Sequence, residues 1–189
     1  MPLPAPEVER EALHTRSIRV DAFARADGQW DLEAELIDVK HYDFERSVGV
    51  HKAGEPVHHM RLRVTFDESF TITAARAGYE AAPYGQYCMA IESAYQDLVG
   101  MNLLKGFRDT VKRRFGKVQG CTHMTELSYV LPTVAVQALS GKRREEREAA
   151  PEGEEKRPFQ LEGCHALRLD GPVAKEFYPK WYVTPVTRN

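Results

Sequence analysis

The chain has 189 residues, enough for one well-buried core, and its 29% charged residues balance to a formal net charge of -2. With acidic and basic residues interspersed, no global field gathers nucleic acid or an anionic membrane, and no apolar run approaches the roughly 18 residues of a membrane span. The 3 cysteines cannot all pair within one chain, and in a reducing cytosol they serve as thiols, metal ligands or core filler before they form a disulfide framework.

Residues 1–14 are rich in Pro, Ala and Glu without a sustained period and read as a flexible lead. The opening Met1-Pro2-Leu3-Pro4-Ala5-Pro6 lacks the basic and apolar regions of a signal peptide, so a soluble, cytoplasmic protein is expected. From Thr15 the pattern alternates: Ile18, Val20 and Ala22 share one face, Asp27-Gly28 follows, and Trp30, Leu32, Ala34 and Leu36 then interleave with Asp31, Glu33 and Glu35. Such alternation on both sides of Asp-Gly predicts a β-hairpin with one buried face and one wet face. Between Lys40 and Pro56 the period is lost, and Gly49 and Gly54 mark a loop that carries His41 and His51. A second alternating run sets His58, Met60, Leu62, Val64 and Phe66 on one face and His59, Arg61, Arg63 and Thr65 on the other, so His58 points with the apolar residues. After a turn at Asp67-Glu68-Ser69, Phe70, Ile72 and Ala74 predict the returning strand.

Pro83-Tyr84-Gly85 breaks the chain, and from Cys88 the period turns helical, with Ile91, Ala94, Tyr95 and Leu98 in one stripe ending near Gly100. Leu103, Phe107, Val111 and Phe115 continue as a second helix closed by Gly116, with Arg108, Lys112, Arg113 and Arg114 on its solvated side. Gly120-Cys121-Thr122-His123 opens a third, whose apolar stripe through Leu127, Val130, Leu131, Val134, Ala135 and Ala138 is kinked or restarted by Pro132. Residues 141–158 are almost wholly charged, Ala, Pro or Gly and read as a linker. The aromatic-rich residues 159–189, with Cys164-His165 and Phe177-Tyr178-Pro179-Lys180-Trp181-Tyr182, read as a tail docked on the main domain.

Chemistry concentrates where the pattern expects core or a helix start: His58 on an apolar strand face, Cys88 at one helix N-terminus, Cys121 with His123 at another. Free amides and the positive end of the helix dipole favour thiolate, the form that binds metal or attacks an electrophile. Each cysteine alone is by default a small buried hydrophobe, and His58 alone a core histidine bonded to backbone. Together, His58, Cys88, Cys121 and His123 form a Cys/His set whose softness suits zinc or iron, an iron–sulfur cluster included, and not magnesium or calcium. Cys164, His165 and Glu126 are candidates for an outer ligand, a lid or a partner to an imidazole, with His59 and Glu92 weaker ones. No Gly-rich phosphate loop and no serine nucleophile elbow occurs.

Two resemblances rest on these residues. Asp27-Gly28-x-Trp30, Asp38-x-Lys40, Gly54-x-Pro56-x-His58-x-Met60, Cys88, Gly120-Cys121-Thr122-His123, Cys164-x-Ala166-Leu167-Arg168 and Tyr178-Pro179-x-Trp181 together resemble a bacterial family of unknown function, which brings membership and no mechanism. Roughly from Gly54 to Leu139, the order of features is also similar to the iron–sulfur scaffold family of NifU and IscU. His58 and Met60 fall at that family's Asp and Met, Ile72 to Arg76 at its return strand, Cys88 at its second ligand, and Cys121 at the thiol that accepts sulfur. Pro56 stands in place of the first scaffold cysteine, Gly120 in place of the histidine before the last, and Lys117-Val118-Gln119 departs from the chaperone-recognition sequence. The resemblance implies a small sheet with helices on one face and a ligand set re-tuned, through His58 and His123, toward a stably held metal.

The expected fold is therefore α+β: an antiparallel sheet with three helices on one face, a NifU/IscU-like core with an added N-terminal β-hairpin, spanning residues 15–140. Three functions are open. One is a metal-binding protein holding zinc or iron. Another is an enzyme acting on a small metabolite through the metal or through Cys121, with His123 or His58 as base. The last is a structural or partner-binding domain with core cysteines. Expected partners are a metal ion and a small metabolite, not nucleic acid or membrane, with oligomeric state open.

Overall fold

The computed structural model describes residues 2–47, 49–149, 151 and 156–185. Contacts divide the chain into two units, Met1–Leu139 and Ser140–Asn189.

In the first unit, the alternating runs become strands. β1 (His14–Ala24) and β2 (Trp30–Lys40) form the hairpin around Asp27-Gly28, with Gly28 at φ 81°, and pair without interruption from His14↔Lys40 to Ala24↔Trp30. The segment between Lys40 and Pro56, expected to be loop, holds a small hairpin of β3 (Phe44–Arg46) and β4 (Gly49–His51), held by the His51 ring 5.0 Å from that of Phe44. Strands of three residues carry too short a pattern to be read as period 2. β5 (Pro56–Phe66) and β6 (Ile72–Ala81) complete a four-stranded antiparallel sheet in the order β1-β2-β5-β6.

The expected helix after Cys88 is instead one turn, α1 (Gln86–Met89), followed by a 3₁₀ segment, Glu92–Leu98. Its stripe has the spacing of either form, and only Tyr95 and Leu98 of it are fully buried, too narrow a face to hold a continuous α-helix. α2 (Phe107–Phe115) begins later than its apolar stripe, because Gly106 before it takes a left-handed conformation, φ 63°, through which a right-handed helix cannot run. α3 (Thr122–Tyr129) ends before Pro132, which sits in the first turn of α4 (Leu131–Glu148), where its missing N–H costs nothing.

Leu32, Leu36, Met60, Leu62, Val64, Phe66 and Ile72 from the sheet pack with Tyr95, Leu98, Phe107, Val111, Phe115, Met124, Leu127, Leu131 and Ala135 from the helical segments. Each buried Val, Leu, Ile, Met or Phe among them contributes roughly 1.5–3 kcal/mol of apolar burial. The opposite sheet face is wet and cross-linked by ion pairs such as Arg61–Glu35 and Arg63–Glu33, both at 2.6 Å. The molecule is α+β, with a four-stranded antiparallel sheet and several helices.

α4 continues through Lys142–Glu148, into the charged run expected as linker, with Lys142 and Glu146 paired at 3.6 Å one turn apart. Residues 150 and 152–155 of that expected linker, and 186–189 of the expected tail, lie outside the described residues. In the second unit, α5 (Pro172–Phe177) is flanked by 3₁₀ turns at His165–Leu167 and Pro179–Trp181.

Two glycines separate packing from propensity. A Cβ at Gly120 would lie 2.5 Å from the Phe115 carbonyl oxygen, whereas one at Gly141, in α4, would meet nothing within 4 Å. Gly120→Ala should lower stability in urea denaturation by about 1–3 kcal/mol, and Gly141→Ala should raise it by about 0.5–1 kcal/mol. Equal effects would show that the α2–α3 junction is looser than this approach implies.

Candidate functional site

The alternation that buries Leu32, Ala34 and Leu36 of β2 carries on to Asp38, whose carboxylate therefore enters the core face and is 2% exposed. A carboxylate there must be paired. Register supplies the partners: Arg16 of β1 and His58 of β5 both stand opposite Asp38, so one row of side chains crosses three strands. The Arg16 guanidinium grips both carboxylate oxygens, at 2.7 and 2.8 Å. His58 Nδ1 lies 2.9 Å from Oδ2, and His14 Nε2 3.2 Å from Oδ1.

α3 closes this row from above. His123, in its first turn, puts Nε2 3.6 Å from Asp38 Oδ2 and its ring 3.8 Å from the His58 ring, centroid to centroid. Glu126, one turn on, pairs with Arg16. Among the described residues, Asp38, His58 and His123 form a group whose donor atoms all lie within 4.8 Å of one another.

Burial works against the Asp38 carboxylate, but the Arg16 guanidinium, with His58 and His123 behind it, more than reverses this and holds its pKa below the ordinary value. For His58, burial and the neighbouring His123 outweigh the attraction of Asp38, so its pKa is lowered and the imidazole is neutral at pH 7, the form that ligates metal.

Cys121 caps α3 beside this group. Its N–H donates to the Tyr95 hydroxyl at 2.9 Å, and that hydroxyl donates to the Cys121 carbonyl at 3.0 Å. Tyr95 is itself fully buried and stacked on Phe115 at 4.6 Å, so the backbone that aims the thiol is rigid. Sγ lies 3.9 Å from His123 Nδ1. Burial pushes the thiol up, yet His123, the Met124 N–H and the Tyr79 hydroxyl together bring its pKa below the ordinary value. The buried Tyr79 hydroxyl faces this thiol without completing a hydrogen bond of normal geometry to any of the described residues; burial and the facing thiol push its own pKa up, so it stays protonated as a donor for a thiolate.

Of the residues singled out in the sequence, His58, His123 and Cys121 thus meet, and Glu126 reaches the group through Arg16. Cys88 is half-buried in α1 and its thiol is not among the grouped donors. His59 faces the other side of the sheet, against Glu35 at 2.8 Å and Glu80 at 3.1 Å, and Glu92 is exposed at the start of its 3₁₀ segment. Cys164 and His165 are exposed in the second unit, where His165 lies 3.1 Å from Arg168. Asp38 enters the sequence analysis only within the family resemblance, and Arg16 and His14 do not enter it. Asp38 is in phase with the buried face of β2, and Arg16 and His14 with Ile18, Val20 and Ala22 of β1; the phase gives the face, and the strand register gives the partner.

A family described as a protein of unknown function, DUF2889, matches residues 14–137, a span that begins at β1 and includes every residue of the Asp38 group. No curated protein and no solved structure matches the chain.

The metal-free protein should lose stability in two steps on acidification. A His58 pKa below 6.5 means that the unfolded chain takes up protons first, so stability falls as pH drops below that value. A depressed Asp38 pKa means that its contribution is complete above 3.8 and is lost as pH falls from there through the lower folded-state value. Denaturation in the presence of chelator across this range should show the upper step flattened in His58→Gln; an unchanged upper step would assign it to another histidine.

Proposed function

We propose that this chain, which belongs to the DUF2889 family of unknown function, is a metal-binding protein that holds zinc or ferrous iron on Asp38, His58 and His123. The reading is carried by one observation: donors from two strands and a helix, far apart in sequence, converge within 4.8 Å at a buried carboxylate. Two imidazoles and one carboxylate are the donor set of catalytic zinc and of non-haem ferrous sites, and are too nitrogen-rich for calcium or magnesium. Arg16 adds a positive charge on Asp38, which by itself would repel a cation, but Glu126 pairs with Arg16 and compensates that charge. In this reading His123 uses Nε2 for the metal while Nδ1 turns to Cys121, so the thiol orients the ring from behind, as ligating histidines generally require of a neighbour.

Protein purified without a metal-affinity tag should contain near-stoichiometric metal, or bind zinc tightly by titration calorimetry. Asp38→Ala, His58→Ala and His123→Ala should each weaken binding at least about tenfold, and Cys88→Ser should leave it unchanged. Binding indifferent to the three substitutions, or lost in Cys88→Ser, would overturn this ligand set.

A second reading, an enzyme with Cys121 as its reactive group, is favoured by the lowered thiol pKa and by the buried Tyr79 hydroxyl that faces it and completes no hydrogen bond to the described residues. Here a small electrophilic metabolite is the substrate class. At neutral pH, Cys121 should be alkylated by iodoacetamide faster than the exposed Cys164; a slower rate would remove this reading and leave the metal site standing.

A further inference from the structure

We propose that β1 is a dimerisation edge, on which a second copy of this chain pairs antiparallel through its own β1 about a two-fold axis at Val20. β1 is the outermost strand of its sheet, and its 11 residues are exposed apart from Val20 and Asp21, which are half-buried. Edge strands ordinarily avoid association through a proline, a bulge or an unpaired inward charge. β1 has no proline, its pairing with β2 is unbroken while register shifts occur in the other pairings of the sheet, and its inward Arg16 is already engaged by Asp38.

Charge selects a second copy as the occupant. About Val20, Arg19 of one copy faces Asp21 of the other, and the reverse, so the junction carries two ion pairs on the wet face of the sheet. Asp21 stands directly opposite Glu33 on β2, where Arg63 offsets Glu33 and the chain's own Arg19 offsets Asp21; at the junction the incoming Arg19 offers Asp21 a cation from its open side. Arg19 is 74% exposed, and among the described residues its ion pair is with the neighbouring Asp21 at 2.9 Å; on turning outward it exchanges this Asp21 for that of the second copy. On the other face, Ile18, Val20 and Ala22 form an apolar row at the rim of the core, with Ile18 still 42% exposed. Ile18 of each copy then meets Ala22 of the other, and the two rows become one strip. An unrelated strand would match the apolar row equally well but has no reason to carry the reversed charge pair. This interface is independent of the metal reading.

The test is the mass of the full chain by light scattering or sedimentation, with chelator present, over a concentration series. The wild type should reach twice 21.5 kDa. Arg19→Asp and Asp21→Arg should each be monomeric, because each sets four like charges at the junction. Mixing the two variants should restore a dimer, as should combining both substitutions in one chain, which a variant that had merely misfolded could not do. A wild type that stays at 21.5 kDa, a dimer that survives the single reversals, or reversals that the mixture fails to rescue would each overturn the proposal.

Discussion

The Asp38 carboxylate, buried at 2% exposure and gripped on both oxygens by Arg16, is the interaction on which the rest of this end of the molecule depends. Left unpaired, a charge at that depth would cost several kcal/mol, and the pairing is what makes its position tolerable. The same row ties β1, β2 and β5 together, and through Glu126 and His123 it also anchors α3. Fold and site are here one set of contacts. Removing a member removes both a donor and part of the support for its neighbours.

The helix that closes the row is positioned by sterics as much as by charge. Gly120 runs so close to Phe115 that a side chain there would force the backbone to shift, and the Tyr95 hydroxyl takes the Cys121 amide while giving its own proton to the Cys121 carbonyl. With Tyr95 buried and stacked on Phe115, the backbone before α3 has little freedom, and both the thiol and the His123 ring inherit that rigidity. Pre-organised first contacts supported by packed neighbours are what a metal or a reactive thiol requires.

The two sheet faces divide the labour. Toward the helices the side chains are apolar except at the Asp38 end, where carboxylate and imidazoles replace them in the same alternation. Toward solvent, glutamates and arginines alternate across strands and offset one another, as in Arg61–Glu35 and Arg63–Glu33. At β1, Asp21 stands opposite Glu33, and each is offset by an arginine, Asp21 by Arg19 at 2.9 Å and Glu33 by Arg63 at 2.6 Å.

Much of this could be read locally. The hairpin around Asp27-Gly28, the inward face of His58, the helix start at Cys121 and the restart at Pro132 all follow from backbone geometry, since Cβ atoms alternate in a strand and recur every 3.6 residues in a helix. Asp38 was legible by the same rule, as the next inward position after Leu36. Cys88 looked equivalent to Cys121 because both precede apolar helical stripes, but the stripe after Cys88 buries too little to sustain an α-helix. What the amino-acid sequence determined by itself was the face on which each residue stands. Which residues meet was decided by tertiary structure: the register that sets Arg16, Asp38 and His58 in one row, and the seating of α3 that brings His123 down onto it. Register and helix docking minimise the free energy of packing between segments remote in the chain, and no local period encodes that sum.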